Sequence, residues 1–218
     1  YNPVTDFAPI TNIASSPLVL VVNPKLPAKS AQELVAYIKA TPDKRNYAST
    51  SVGGLAHLSG EMFKMLTGVD MQHVPYKGSV LALTDVMAGN LTFMFDILNV
   101  AGPQIKAGRV RGIAVASAKR TPYFPEIPTL TEAGIPGFEA VGADLWFGIM
   151  APAKTPRAII ELLHGKTLAA LAREDARRKL EAQGVETTTN TPAEFHAYLK
   201  SETRKWIDVV RAAGIPRQ

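Results

Sequence analysis

Over its first 145 residues the chain alternates short apolar runs with amphipathic runs. No single motif limits the possible folds as firmly as this pattern, which is the mark of an α/β protein. Strand-like runs, most of them rich in β-branched and aromatic residues, occur at 18–22, 46–48, 71–74, 91–95, 110–116 and 145–150. The helices between them have legible ends. Ser30 and Glu33 form a capping box ahead of Leu34, Val35 and Ile38, and that helix stops before Thr41-Pro42. Leu55, Leu58, Met62 and Leu66 keep helical spacing up to Gly68, and Ser79 caps a further helix that ends at Gly89. Beyond residue 152 the pattern is almost all helix: 156–172, 174–183, and a long helix launched by Thr191-Pro192-Ala193-Glu194. The apolar strands 18–22 and 145–150 are expected to cross between two lobes, one formed by 20–145 and the other by 1–19 with 146–218. The second lobe then has helices but little strand for them to cover.

Several function classes drop out on composition. The net charge is +5, but the basic residues are scattered, and the densest cluster, Arg173 to Lys179, is broken by Glu174 and Asp175. A nucleic-acid surface needs a basic stripe interleaved with aromatics, so a solvated helix face is expected there and no nucleic-acid partner. A mild positive field still favours small anions. With no cysteine, disulfides, thiolate metal sites and Cys nucleophiles are excluded. No apolar run approaches the ~20 residues that span a bilayer, and no signal-peptide pattern opens the sequence, as expected of a mature or a cytosolic chain.

Three segments place polar groups just after strands, where open α/β sheets bind ligands. In the first, Ser49, Thr50, Ser51, Val52, Gly53 and Gly54 lead into a helix that carries His57. Those hydroxyls serve either to cap the helix or, with its bare N–H groups, to receive an anion. The second is His73-Val74-Pro75-Tyr76-Lys77-Gly78-Ser79. The third is Asp96, a carboxylate closing an apolar strand, which costs free energy unless it has partners. His57 with Glu61 resembles half of a metal site, but no third ligand follows, and no metal or cofactor is expected. Nucleophile elbows, Walker loops and dinucleotide fingerprints are missing, so nothing argues for catalysis.

Longer stretches carry a resemblance. "SSPLVLVVNPKLPAKSAQEL", "NYASTSVGGLAHLSGEMFK", "HVPYKGSVLALTDVMAGNLTFMFD", "IKAGRVRGIAVASAKR" and "IPTLTEAGIPGFEA" resemble the Bug/TctC family, the solute-binding proteins of tripartite tricarboxylate transporters. "WFGIMAPAKTP" and "ETRKWIDVVRAAGI" extend the likeness over essentially the whole chain. The resemblance implies a two-lobed, type II periplasmic-binding-protein fold in the periplasm. It implies capture of a small carboxylate (a dicarboxylate, an amino acid or an aromatic acid) and its handover to membrane permease subunits. Lobe 20–145 would carry one wall of the cleft. Ser49, Thr50 and Ser51 would offer hydroxyls, Val52–Gly54 amides and His57 a further contact, while Asp96 would face the far end of the ligand. The family pattern begins upstream of "YNPVTDF", so the resemblance also implies that the usual N-terminal segment is missing and the first lobe incomplete. The apolar face of Phe195, Leu199, Trp206 and Val209 would then lack cover, and the C-terminal helices are expected either to self-associate, the preferred outcome, or to fold back onto the middle lobe. Two other readings stand beside this one: an interaction or sensor module that has lost transport, and a hydrolase using Ser49 or Ser51 with His57.

Overall fold

Residues 18–22, Leu-Val-Leu-Val-Val, are apolar at every position, so a strand there needs cover on both faces. In the computed structural model, which describes residues 1–138 and 142–215, they form the far end of β1 (Phe7–Val22). Two compact units emerge. One comprises 17–145 with the C-terminal residues from 209, the other 1–16 with 146–208.

In the first unit β1 is joined by β2 (Asn46–Ser49), β3 (Gln72–Pro75), β4 (Phe93–Ile97) and β5 (Arg111–Val115), in the order β3-β2-β4-β1-β5. Strand β2 runs parallel to β3 and β4, whereas β1 runs antiparallel to β4 and β5. Side chains alternate across the sheet. Val19, Val21, Ala48 and Met94 share a core with α3 (Ser79–Ala88) and α4 (Leu98–Lys106) through Ala82, Leu83, Val86, Leu98 and Ala101. Tyr47, Phe93 and Phe95 point the other way, where Phe63 of α2 (Leu55–Thr67) meets Phe93 edge-on at 5.3 Å. The approach of α2 to this face needs Gly60: a Cβ there would lie 2.1 Å from the Tyr47 ring.

The helix signals resolve in detail. Ser30 caps α1 (Ala31–Ala40) by accepting the Glu33 N–H at 3.2 Å, but the Glu33 carboxylate accepts from Lys29 N–H rather than from Ser30. Gly68 ends α2 in the left-handed conformation, φ 65°. Ser79 does not cap α3. The cap is Gly78, whose φ of 125° excludes most side chains, and Ser79 becomes the first helical residue with its hydroxyl turned inward and buried.

The second unit has more sheet than the sequence pattern suggested. The first part of β1 belongs to it, and β1 is paired by β6 (Asp144–Pro152) and by β7 (Glu186–Thr187), the latter in register Ala14↔Thr187. Pro9 and Asn12 interrupt the apolar alternation of residues 7–14, which hides that half of β1. Three helices follow: α5 (Arg157–Leu171), α6 (Glu174–Ala182) and α7 (Pro192–Ala212), the last turn of which, from Val209, goes with the first unit. The expected capping box at α7 forms, with Glu194 N–H donating to Thr191 Oγ1 at 3.2 Å and Thr191 N–H to Glu194 Oε2 at 2.8 Å. The apolar face of α7 is not left in water. Phe195 is fully buried, edge-on to Trp146 at 5.7 Å and over Gly148, where a Cβ would lie 2.3 Å from its ring. Leu199 and Val209 are buried too, and Trp206 is half-buried with its N–H on Glu202 at 3.1 Å. The cover expected to be missing over Phe195 and Leu199 is thus supplied within the chain. Arg173, Arg177 and Arg178 make exposed ion pairs with Asp175, Glu181 and Glu174, a solvated surface.

Candidate functional site

Because β2 lies between β3 and β4 and parallel to both, their C-terminal ends reach one edge of the sheet. Ser49 is in register with Pro75, and Ala48 with Met94, two residues short of Asp96. All the polar segments singled out in the sequence therefore meet this edge, but not on one face.

The loop after β2 turns at Gly53, φ 73°, and reaches α2 through Gly54. A Cβ at Gly54 would come within 2.3 Å of Ser51 Oγ, so a larger residue there would require the exposed Ser51 side chain to rotate away. None of the hydroxyls caps α2: its N-cap is Gly54, without a side-chain hydrogen bond. The capping account of this stretch is thereby set aside, and the first-turn amides have no side chain on them. Ser51, Val52 and Gly53 are exposed, and Thr50 and Gly54 half-buried.

Ser49 and His57 lie inside, beneath the loop. Ser49 Oγ donates to the Ser51 carbonyl at 2.9 Å and lies 2.6 Å from His73 Nε2. The Gly53 N–H donates to His57 Nδ1 at 2.9 Å. The two imidazoles stack at 3.8 Å, with the Tyr47 ring 5.1 Å from that of His73. Tyr47 donates its hydroxyl to Glu61 Oε1 at 2.6 Å, and Lys64 Nζ sits on the same oxygen at 3.0 Å. His57 Nε2 is 4.0 Å from it. Burial lowers the pKa of His57, with Lys64 adding to the effect and Glu61 opposing it. Burial, and then the neighbouring His57, push His73 down to about 4. Both rings are neutral at pH 7. The hydrolase pairing of Ser49 or Ser51 with His57 does not form: His57 is engaged by Gly53, and Ser49 is fully buried.

Asp96 occupies the opposite face. Alternation along β4 puts it with Met94, toward α3 and α4. It is buried, and neither carboxylate oxygen has a hydrogen-bond partner; Ser79 Oγ and Asn99 Oδ1 are likewise unpartnered. Burial raises its pKa from 3.8 to about 6, an effect that the nearby Ser79 hydroxyl and Ile97 N–H reduce without reaching hydrogen-bond geometry. Sequence reasoning passed over Tyr47 and Asn99 and read Ser79 only as a helix cap, because what these side chains face follows from strand register and helix packing. Among the described residues no three His, Asp or Glu side chains gather as a metal site, and no helix is long and apolar enough to cross a membrane.

Known proteins resemble this chain along its length. The model of the tripartite tricarboxylate transporter family receptor (TctC) matches residues 1–215. Protein BugT of Bordetella pertussis is 34% identical over 214 residues, which are 98% of this chain and 65% of BugT, so the chain spans about two thirds of that relative's length. An R. palustris protein solved with adipate is 36% identical, with a TM-score of 0.86 over 99% of this chain and 71% of that one. MatC from Rhodopseudomonas palustris, solved with bound malate, is 30% identical, with a TM-score of 0.82 over 96% of this chain and 71% of that one. The fold is accordingly the α/β type II periplasmic-binding-protein fold that the sequence resemblance implied. With its family model matched from residue 1 to residue 215, the chain belongs to the tripartite tricarboxylate transporter receptor family, TctC.

Proposed function

We propose that this protein is a periplasmic solute-binding protein that captures a small carboxylate and delivers it to the membrane permease subunits of a tripartite tricarboxylate transporter. The observation that carries the reading is the mouth of α2, where exposed Ser51, Val52 and Gly53 precede a helix start with no side-chain cap. Unspent amides at a helix N-terminus attract an anion, and the left-handed turn at Gly53 lets backbone approach it. The carboxylate sits on the Val52 and Gly54 amides and the Thr50 and Ser51 hydroxyls, while Gly53, its own N–H held by His57, turns the backbone between them. Ser49 and His57 serve from beneath. Asp96, with Ser79 and Asn99, faces a donor at the ligand's other end, such as an amine, a hydroxyl or a water. The net charge of +5 favours capture of an anion. Relatives with adipate and malate make dicarboxylates the first class to test.

Titration calorimetry with malate, adipate, an amino acid and benzoate tests the reading. Saturable one-to-one binding of at least one, weakened by Gly53→Val, is expected. Absence of binding across the panel by a folded protein overturns it and leaves the interaction-module reading in its place.

A further inference from the structure

We propose that His57 is a positioning residue for the 49–54 loop, holding the Gly53 amide only while its ring is neutral, with His73 as the matching support on Ser49. As a statement about ligand affinity this rests on the carboxylate reading above; as a statement about the loop it stands alone.

The hydrogen bonds fix the protons. A backbone N–H only donates, so His57 Nδ1, 2.9 Å from Gly53 N, must be the bare nitrogen, and the ring carries its proton on Nε2 toward Glu61. A carbonyl only accepts, so the single Ser49 hydroxyl proton goes to Ser51 O at 2.9 Å. His73 Nε2, 2.6 Å from Ser49 Oγ, is then the donor of that contact. Both ends of the loop thus hang on one stacked pair: residue 53 through His57, and the 49–51 turn through His73.

Protonation of His57 requires a proton on Nδ1, the atom that accepts from Gly53. The charged ring cannot keep that bond, and two donors then face each other. The groups around the pair do little to rescue an imidazolium. On α2, Glu61 is shared with the Tyr47 hydroxyl of β2 and with Lys64 Nζ, and on β3 the neighbouring ring is His73 at 3.8 Å. Acidification therefore releases Gly53 and loosens the loop, and carboxylate affinity falls with it.

The test separates the loop from the ligand. In ligand-free, ¹⁵N-labelled protein, a scalar coupling across the hydrogen bond from Gly53 N to His57 Nδ1 is expected at neutral pH, with both rings as Nε2–H tautomers. The coupling disappears with the same midpoint as His57 protonation. His57→Asn keeps an acceptor near the Nδ1 position but does not titrate, so the downfield Gly53 amide shift persists at acid pH. His57→Phe keeps a stacking ring without an acceptor. It loses that shift at every pH and weakens binding of malate or adipate by about tenfold, the equivalent of one lost hydrogen bond, while Asn restores most of the affinity. A Gly53 amide indifferent to His57 protonation and to Phe overturns the proposal. If the wild-type protein binds no carboxylate, the function above fails, but the Gly53 coupling still decides whether the latch exists.

Discussion

Replacing Asp96 by Asn should stabilise the ligand-free protein near neutral pH and have almost no effect on stability in acid. The carboxylate is 1% exposed and lacks a hydrogen-bond partner, so holding it ionised is a net cost. Its pKa rises from 3.8 to about 6 on folding. At ~1.4 kcal/mol per unit, that corresponds to a cost of up to about 3 kcal/mol near pH 7. The sign follows from linkage: a raised folded pKa gives stability that is complete below the unfolded value and is lost as pH rises through about 6. Below about pH 4 the wild-type side chain is protonated and resembles Asn. Comparing variant with wild type at each pH cancels the histidines, whose lowered pKa values act in the opposite direction. Both tryptophans, Trp146 and Trp206, lie in the other unit, so their fluorescence is the wrong probe. Urea unfolding followed by far-UV circular dichroism, with hydrogen exchange of the β4 amides, reports on the right one. Equal stability differences at both pH values, or a variant less stable near pH 7, would refute the reasoning. The same substitution should reorder ligand preference in calorimetry, since an uncharged amide no longer repels the second carboxylate of a dicarboxylate.

Two further predictions follow from glycines. At Gly53 a Cβ meets nothing within 4 Å, so Gly53→Val strains only the backbone at φ 73°, by about 1–2 kcal/mol; carboxylate affinity should fall while the circular dichroism spectrum stays native. At Gly60 the obstacle is the buried Tyr47 ring, so Gly60→Ala should cost about 1–3 kcal/mol or more in denaturant unfolding and shift the His73 ring resonances, because Tyr47 stacks on His73.

Much of this protein is written locally in its sequence. The strand at 18–22, the Ser30 cap, the Gly68 and Gly89 helix ends and the Thr191–Glu194 box depend on neighbours within a few residues, and they appear where the pattern put them. The long family motifs carried the membership and the fold, and the Ser/Gly run marked a helix start. What the sequence could not express is register and side. The first half of β1 was masked by Pro9 and Asn12, and its place in a sheet is set by partners such as β7, more than 160 residues away. Likewise, Ser49, Asp96 and His73 sit at one sheet edge, but alternation sends Asp96 to the α3–α4 face and Tyr47 and His73 to the face where His57 of α2 stacks on them. Whether a hydroxyl caps α2, whether His57 meets a ligand or an amide, and whether the α7 face is covered are questions of long-range packing. Burial and hydrogen bonding there depend on which distant segments share a space, and only the tertiary structure fixes that.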